Sequence, residues 1–197
     1  MAAPGGLFHF RFPVAVRPKE TDMNHSKIDI PGSRKPAGPV TIRQAKRGDA
    51  SRLIAMITSL AGHHGDAATV TPATLDRDIF DASACTTALV AHCGGSLLGY
   101  AALNLITHLH FGRRVMDLAH LFVEDLHRGH GVGRQLIAAS VEEARRQRCT
   151  RLTVGTHPEN ETAQAVYRSL GFRDAPVGGT RFQLDLPETG ALPDGWV

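Results

Sequence analysis

From Val40 onward, the hydrophobic residues of this chain recur with two different periods, which divide it into strands and helices. Short segments that alternate apolar and polar residues or are continuously apolar predict strands, and these are 40–43, 87–92, 97–106, 114–123, 151–156, 172–175 and 180–186. Segments with apolar residues three and four apart predict helices, and these are 49–61, a second helix from residue 71, 131–148 and 160–170. The order β-α-α-β-β-β-α-β-α-β-β predicts one mixed α/β domain.

Local signals place the ends of several of these elements. Asp49 is suited to cap the first helix, and Thr71-Pro72 gives the second helix a proline in its favoured first turn. Gly94-Gly95 predicts a tight turn between two strands. Gly171 predicts the end of the last helix, because glycine readily adopts the left-handed conformation found there.

The first 39 residues show no such periodicity and are rich in proline and glycine. This composition predicts a flexible extension over 1–39, in which Met23 offers an alternative start. We therefore expect a folded domain over 40–190 and a short tail over 191–197.

Charge and composition narrow the function classes. The chain has 22 Lys and Arg against 19 Asp and Glu, and the excess of three positive charges lies wholly within residues 1–39. A neutral body without a basic face predicts no nucleic-acid partner. No run of 18 apolar residues occurs, so we expect no membrane span. The three cysteines form no metal-type pair, which favours free thiols in a reducing compartment and hence a cytoplasmic location.

A glycine-rich segment, Arg128-Gly129-His130-Gly131-Val132-Gly133, joins the predicted strand 114–123 to the predicted helix 131–148. Glycines at a strand-to-helix turn let backbone N–H groups approach an anion, and the helix N-terminus adds further donors. A P-loop requires Gly-Lys-Ser/Thr, whereas this chain has Gly133-Arg134-Gln135. The spacing also differs from that of dinucleotide folds. Taken alone, the segment also fits a plain structural turn.

A second motif lies about 30 residues further on, in Asn160-Glu161-Thr162-Ala163-Gln164-Ala165-Val166-Tyr167-Arg168-Ser169-Leu170-Gly171-Phe172. Asn160 and Tyr167 are close to two helical turns apart, so a helix would place them on one face about 10 Å apart. Ala163 between them would leave room for a thin, extended ligand. The alternative is an ordinary amphipathic helix.

The two motifs resemble the Arg/Gln-x-x-Gly-x-Gly and Asn-x6-Tyr-x3-Gly-Phe signatures of the GNAT superfamily of N-acetyltransferases. The resemblance implies the GNAT fold, a central twisted and mostly antiparallel sheet of six to seven strands, with a V-shaped splay between strands 4 and 5 and about four flanking helices. It also implies acetyl-CoA as the cosubstrate. Stretches such as Ile42-Arg43-Gln44-Ala45 and Leu121-Phe122-Val123 look most like the diamine (spermidine/spermine-type) branch.

The resemblance assigns roles to individual residues. The residues expected along the pantetheine arm are Leu121, Phe122, Val123, Asn160 and Ala163. The residues expected around the pyrophosphate are Arg128, Gly129, His130, Gly131, Val132, Gly133 and Arg134. Tyr167 matches the tyrosine that protonates the departing thiolate.

The general base is less directly indicated. Asp117 is the first candidate, because it falls where some family members carry a glutamate or histidine base, and His120 is the second. Strand alternation would put Asp117 and His120 on opposite faces, although a β-bulge would change that. The competing interpretations are a surface acid for Asp117 and a satisfied core histidine for His120.

We expect direct acetyl transfer to the primary amine of a small molecule, such as a polyamine or an amino acid. The loop that contains His63, His64 and Asp66 has fewer acids than the diamine branch, which argues against a polyamine. Alternatives are a protein (lysine or N-terminal) acetyltransferase and a non-catalytic acyl-CoA sensor. His108 and His110 lack a third ligand, so we expect no metal. The resemblance makes a homodimer one expected assembly.

Overall fold

The computed structural model describes residues 32–175. The strands are β1 (Thr41–Gln44), β2 (Thr86–Cys93), β3 (Ser96–His108), β4 (Arg113–Val123) and β5 (Arg151–Val154). The helices are α1 (Ala50–His64), α2 (Pro72–Leu75), α3 (Val132–Arg146) and α4 (Glu161–Ser169). A π-helical turn, Asp76–Phe80, continues α2. None of the helices in these residues has the length and apolar character needed to cross a membrane.

The strands form one five-stranded sheet in the order β1-β2-β3-β4-β5. The first four strands pair antiparallel with their neighbours. On the β5 side, Thr150 donates its N–H to Arg114 O at 2.9 Å, and Thr153 Oγ1 donates to Met116 O at 3.4 Å. The residue numbers increase in the same direction along both strands from the first contact to the second, so β5 runs parallel to β4. The end of β4 extends past β5, where the predicted splay would lie.

Both faces of the sheet are covered. On one face, Leu53 and Met56 of α1 and Leu75 of α2 join a buried cluster with Tyr100 and Phe122 of the sheet. Alternate residues of β3 are equally buried, and α3 packs against β2, β3 and β4. Burial on both faces explains why β2 and β3 are almost continuously apolar in sequence.

The signals at Thr71-Pro72 and Gly171 are confirmed, whereas Asp49 precedes α1 without capping it, because its carboxylate accepts from Arg43 and from Lys46 N–H. Thr71 Oγ1 accepts the N–H of Thr74 at 3.2 Å, and Pro72 occupies the first helical position of α2. At the end of α4, Gly171 has φ of +88°, and Phe172 N–H donates to Tyr167 O at 3.1 Å. This pattern is a Schellman motif, which satisfies carbonyls that the helix leaves without partners.

The structure corrects some sequence expectations. The described residues contain five strands rather than six or seven, and residues 172–175, predicted as a strand, follow α4 without regular structure. The predicted strand 180–186 and the tail 191–197 lie outside the described residues. Of the predicted extension, residues 32–39 are described. They form no helix or strand, but Arg34 N–H donates to Leu126 O.

The described residues divide between Thr153 and Val154 into two compact units. The first contains the sheet and helices α1 to α3. The second contains α4.

Gly99 of β3 is required because β4 passes very close to it. A Cβ there would lie 3.1 Å from Val123 Cα and closer still to the carbonyl oxygen of Phe122. We predict that Gly99→Ala lowers the free energy of unfolding by about 1–3 kcal/mol, because backbone atoms cannot move aside cheaply. Denaturant unfolding measures this change.

Gly62→Ala is the matched control. Gly62 lies in α1, and a Cβ there would meet nothing within 4 Å. Alanine in a helix is favoured over glycine, so this variant should be as stable as the wild type or more stable by up to about 1 kcal/mol. Equal stability of the two variants would contradict the close-approach argument.

Candidate active site

The fourth strand contains a β-bulge at Ala119. The register between β3 and β4 shifts between Ala102 and Leu103, so Ala119 has no partner on β3. Regular alternation would place Asp117 and His120 on opposite faces of the sheet. The extra residue reverses the faces beyond it, so Asp117 and His120 lie on the same face. The alternative allowed by the sequence, a bulge in this strand, is the one found.

His120 is held by a buried tyrosine. Tyr100 Oη lies 3.1 Å from His120 Nδ1, and the two rings meet edge to face with centroids 6.0 Å apart. Tyr100 is 1% exposed, and burial raises its pKa, so the phenol stays protonated at neutral pH. Burial also lowers the pKa of His120, with a smaller contribution from His64, although part of the His120 surface remains exposed. The imidazole is therefore neutral at neutral pH.

A cavity of about 200 Å³ opens on this face, between the sheet and the segment that contains α1 and α2. Its apolar wall includes Leu53 and Ile57 of α1 and Leu75 of α2. Its polar side chains are Thr74, Asp78, Thr86, Tyr100 and His120. His120 thus belongs to the wall of an open, mostly apolar cavity.

Asp117 does not line the cavity. It belongs to a series of polar side chains that runs across neighbouring strands of the sheet. Asp117 Oδ1 accepts a hydrogen bond from Thr153 Oγ1 of β5 at 2.7 Å. On its other side Asp117 pairs in register with Asn104, whose Oδ1 accepts from Thr86 Oγ1 at 2.9 Å. These partners give the half-buried carboxylate a structural role in joining β4 to β5.

The glycine-rich loop has the geometry of an anion site. Gly129 and Gly131 have φ of +76° and +80°, values that favour glycine, and Gly131 is the N-cap of α3. The backbone N–H groups of Val132 and Gly133, at the start of α3, have no acceptor among residues 32–175. The side-chain Nε2 of His130 is also buried without a partner in that part of the chain. These donors fit a phosphate group.

Arg128 organises this loop. Its Nε donates to Val123 O at 2.9 Å, its guanidinium pairs with Asp125 at 2.7 Å, and it lies 5.8 Å from the Phe122 ring centroid. It also lies 3.0 Å from His63 Nε2. Because arginine can only donate, His63 Nε2 is the acceptor in this contact, and Asp125 Oδ1 lies 3.6 Å from the same nitrogen. The guanidinium is thus directed back to the protein.

The end of β4 is well packed, whereas the start of α3 is partly exposed to solvent. Phe122 is buried, whereas Leu121 and Val123 are half-buried, and all three pair with β3. Arg134 lies in the first turn of α3 and is exposed. The loop therefore follows directly from the end of β4, one short turn after Val123.

The second unit holds the other predicted residues. Asn160 precedes α4 rather than lying on its face, and its Oδ1 accepts the N–H of Ala163 at 3.0 Å, which caps the helix. The amide nitrogen of Asn160 remains as a donor. Tyr167 is half-buried, with its ring 5.6 Å from that of Phe172. Burial raises the pKa of Tyr167, so it carries its proton at neutral pH.

Sequence reasoning missed three features of the site. Tyr100 was treated only as part of a strand, and the sequence gives no register that would place it beside His120. Asp78 was not identified as a cavity residue. The hydrogen bond between His63 and Arg128 of the loop was likewise not predicted.

Comparisons with known proteins identify the family. The profile of the acetyltransferase (GNAT) family matches residues 45–172. The thialysine N-epsilon-acetyltransferase of Sus scrofa is 28% identical over 145 residues, which cover 68% of this chain and 85% of the relative. The N-alpha-acetyltransferase 30 of Saccharomyces cerevisiae is 33% identical over 76 residues, which cover 35% of this chain and 43% of the relative.

Solved structures share the fold at low sequence identity. The ribosomal-protein-alanine N-acetyltransferase from Brucella melitensis aligns with a TM-score of 0.60 at 19% identity, over 76% of this chain and 100% of that one. An aminoglycoside acetyltransferase from an uncultured soil metagenomic sample aligns with a TM-score of 0.63 at 14% identity, over 74% of this chain and 97% of that one. Since the family profile spans most of the sequence, the chain belongs to the acetyltransferase (GNAT) family and is an acetyl-CoA-dependent N-acetyltransferase.

Proposed function

We propose that the protein transfers the acetyl group of acetyl-CoA directly to the primary amine of a small molecule, with His120 as the base. The observation that carries the proposal is the position of His120, which lines the cavity while Tyr100 holds its Nδ1. A direct test is release of free thiol from acetyl-CoA in the presence of a panel of amines. The relatives named for thialysine make lysine-like amines part of that panel.

A base is needed because an alkylamine with a pKa of about 10.4 is almost wholly protonated at neutral pH. His120 is neutral there and has a second ring nitrogen, Nε2, to accept the proton. For Nε2 to accept, Nδ1 must carry the hydrogen and donate it to Tyr100 Oη. In this proposal Tyr100 fixes the tautomer and orientation of the base.

Asp117 ranks second as a base. It lies on the same face as His120 because of the bulge, but its carboxylate accepts from Thr153 and it is not part of the cavity wall. A carboxylate held this way contributes to the joint between β4 and β5. This order reverses the ranking based on the sequence alone.

The loop and the end of β4 would hold the cosubstrate, whose thioester supplies the acetyl group. The N–H groups between Gly129 and Arg134 would bind the pyrophosphate, with the orphaned Nε2 of His130 as a further polar partner. Backbone groups of residues 121–123 would hold the pantetheine arm, and Asn160 and Ala163 of the second unit would add contacts. Tyr167, protonated because of its raised pKa, would donate a proton to the departing thiolate.

The loop assignment predicts that acetyl-CoA stabilises the protein. At about 100 times its Kd, acetyl-CoA should raise the Tm by about 5 to 10 °C, and Gly131→Glu should abolish that shift by placing a carboxylate where phosphate would bind. Gly112→Glu is the matched control. Gly112 also has positive φ (+57°) and open space around it, but lies at the start of β4. Loss of the Tm shift in both variants, or in neither, would count against the loop.

The base assignment predicts a pH profile. The pKa of His120 lies below its ordinary value because of burial, so kcat/KM should be retained below pH 6.5 and fall as the pH drops through this lowered pKa. His120→Gln should lower kcat/KM by about 10²–10⁴-fold and remove that acid limb. His64→Ala should move the acid limb of the profile to higher pH, because His64 lowers the pKa of His120. If the acid limb of the kcat/KM profile is lost in Asp117→Asn and kept in His120→Gln, Asp117 is the base.

The acid assignment predicts that Tyr167→Phe lowers kcat by about 10²-fold or more while the Kd for acetyl-CoA changes little. The phenylalanine keeps the ring contact with Phe172 and removes only the proton donor. Steady-state kinetics and calorimetric titration of the same preparation separate the two quantities. Unchanged kcat would remove Tyr167 from the mechanism, and a parallel loss of affinity would assign it to binding.

A further inference from the structure

The acceptor class can be read from the cavity beside His120. We propose that the preferred acceptor is a small primary amine with an apolar carbon body and no carboxylate, a proposal that rests on the acetyltransferase function proposed above. Its amine would lie against His120, and its body would fill the apolar part of the cavity. Amino acids, including lysine, would then be poor acceptors.

The lining of the cavity supports an apolar body. Seven of its twelve lining residues are aliphatic or alanine, contributed by α1, by the α2 segment and by the sheet. Ala102 lies directly opposite His120 in the pairing of β3 with β4, so one of the two alanines of the wall adjoins the proposed base. Buried methylene groups favour binding by about 0.8 kcal/mol each, and this wall can bury several of them.

The charges around the cavity oppose a carboxylate. Among residues 32–175, no Lys or Arg lines the cavity, and Asp78 is the only lining carboxylate. The nearest arginine in sequence, Arg77, is already engaged with Asp78 through two hydrogen bonds, at 2.7 and 2.9 Å. Arg47 is likewise engaged with Asp76 and with Phe80 O. A substrate carboxylate would therefore find no uncommitted cationic partner among the lining residues that the structure describes.

The volume of the apolar space matches a small acceptor body. The cavity of about 200 Å³ is smaller than the roughly 300–1,000 Å³ of usual small-molecule sites. A monoamine of a few carbons or one ring fits such a space. A large and highly polar acceptor such as an aminoglycoside would exceed it, and its hydroxyl groups would have few hydrogen-bond partners.

Wild-type protein provides the main test, with initial rates of thiol release at saturating acetyl-CoA. In the series from n-propylamine to n-hexylamine, kcat/KM should rise about 3- to 4-fold per methylene until the cavity is full. Pentylamine should exceed lysine, and phenethylamine should exceed phenylalanine, by about 10²-fold or more. Equal or faster turnover of the amino acid in both pairs would overturn the acceptor class while leaving the acetyltransferase function in place. Turnover of no amine at all would overturn both.

A charge reversal at the cavity gives an independent check. Asp78→Arg should raise kcat/KM for lysine relative to pentylamine by at least about 10-fold, because the new guanidinium can pair with the carboxylate. Asp66→Arg is the control, since Asp66 is exposed and outside the cavity. The Tm shift with acetyl-CoA reports whether each variant is folded. A folded Asp78→Arg variant with unchanged preference, or the same change in Asp66→Arg, would contradict the proposal.

Discussion

One unpaired residue in β4, Ala119, determines which side chains the sheet presents to the cavity. Side chains alternate along a strand, so a one-residue insertion reverses every face beyond it. With the bulge, His120 shares a face with Tyr100, Ala102 and Phe122, and it reaches the apolar space under α1 and α2. In a regular strand His120 would point to the opposite face of the sheet. The hydrogen bond to Tyr100 and the proposed base chemistry both depend on this local change of register.

The same strand links the two halves of the proposed reaction. Its bulge serves the acceptor cavity, and its end leads within a short turn to the glycine loop. Arg128 fixes that turn through Val123 O and Asp125, and its contact with His63 joins the loop to the end of α1. Since α1 also forms part of the cavity wall, the cavity and the glycine loop share rigid supports. Arg128 therefore matters for the shape of the loop as well as for its charge.

Much of the fold follows from local signals, because periodicity, caps and glycines act over a few residues. Thr71-Pro72 and Gly171 correctly predict a helix start and a helix end. The spacing of the glycines predicts the position of the loop and does not depend on how the strands pair. The position of Tyr100 beside His120 could not be predicted, because it depends on pairing between residues 20 apart in sequence and on a bulge that no local motif marks. Asn160 was expected on a helical face, but its side chain satisfies an N–H at the helix start, as asparagine commonly does. The strand expected at 172–175 fails because periodicity over four residues carries little information.

The apolar wall of the cavity reduces a mismatch in proton affinity between an alkylamine and the proposed base. An alkylamine in water holds its proton far more tightly than a neutral imidazole does, so direct transfer between them would be strongly uphill. Removing the amine from water disfavours its charged form and lowers its pKa, as burial does for lysine. The same wall that selects an apolar body therefore also prepares the amine for deprotonation. A polar cavity would hold a charged amine more tightly but would leave its pKa high, and so would oppose the proton transfer that acetylation requires.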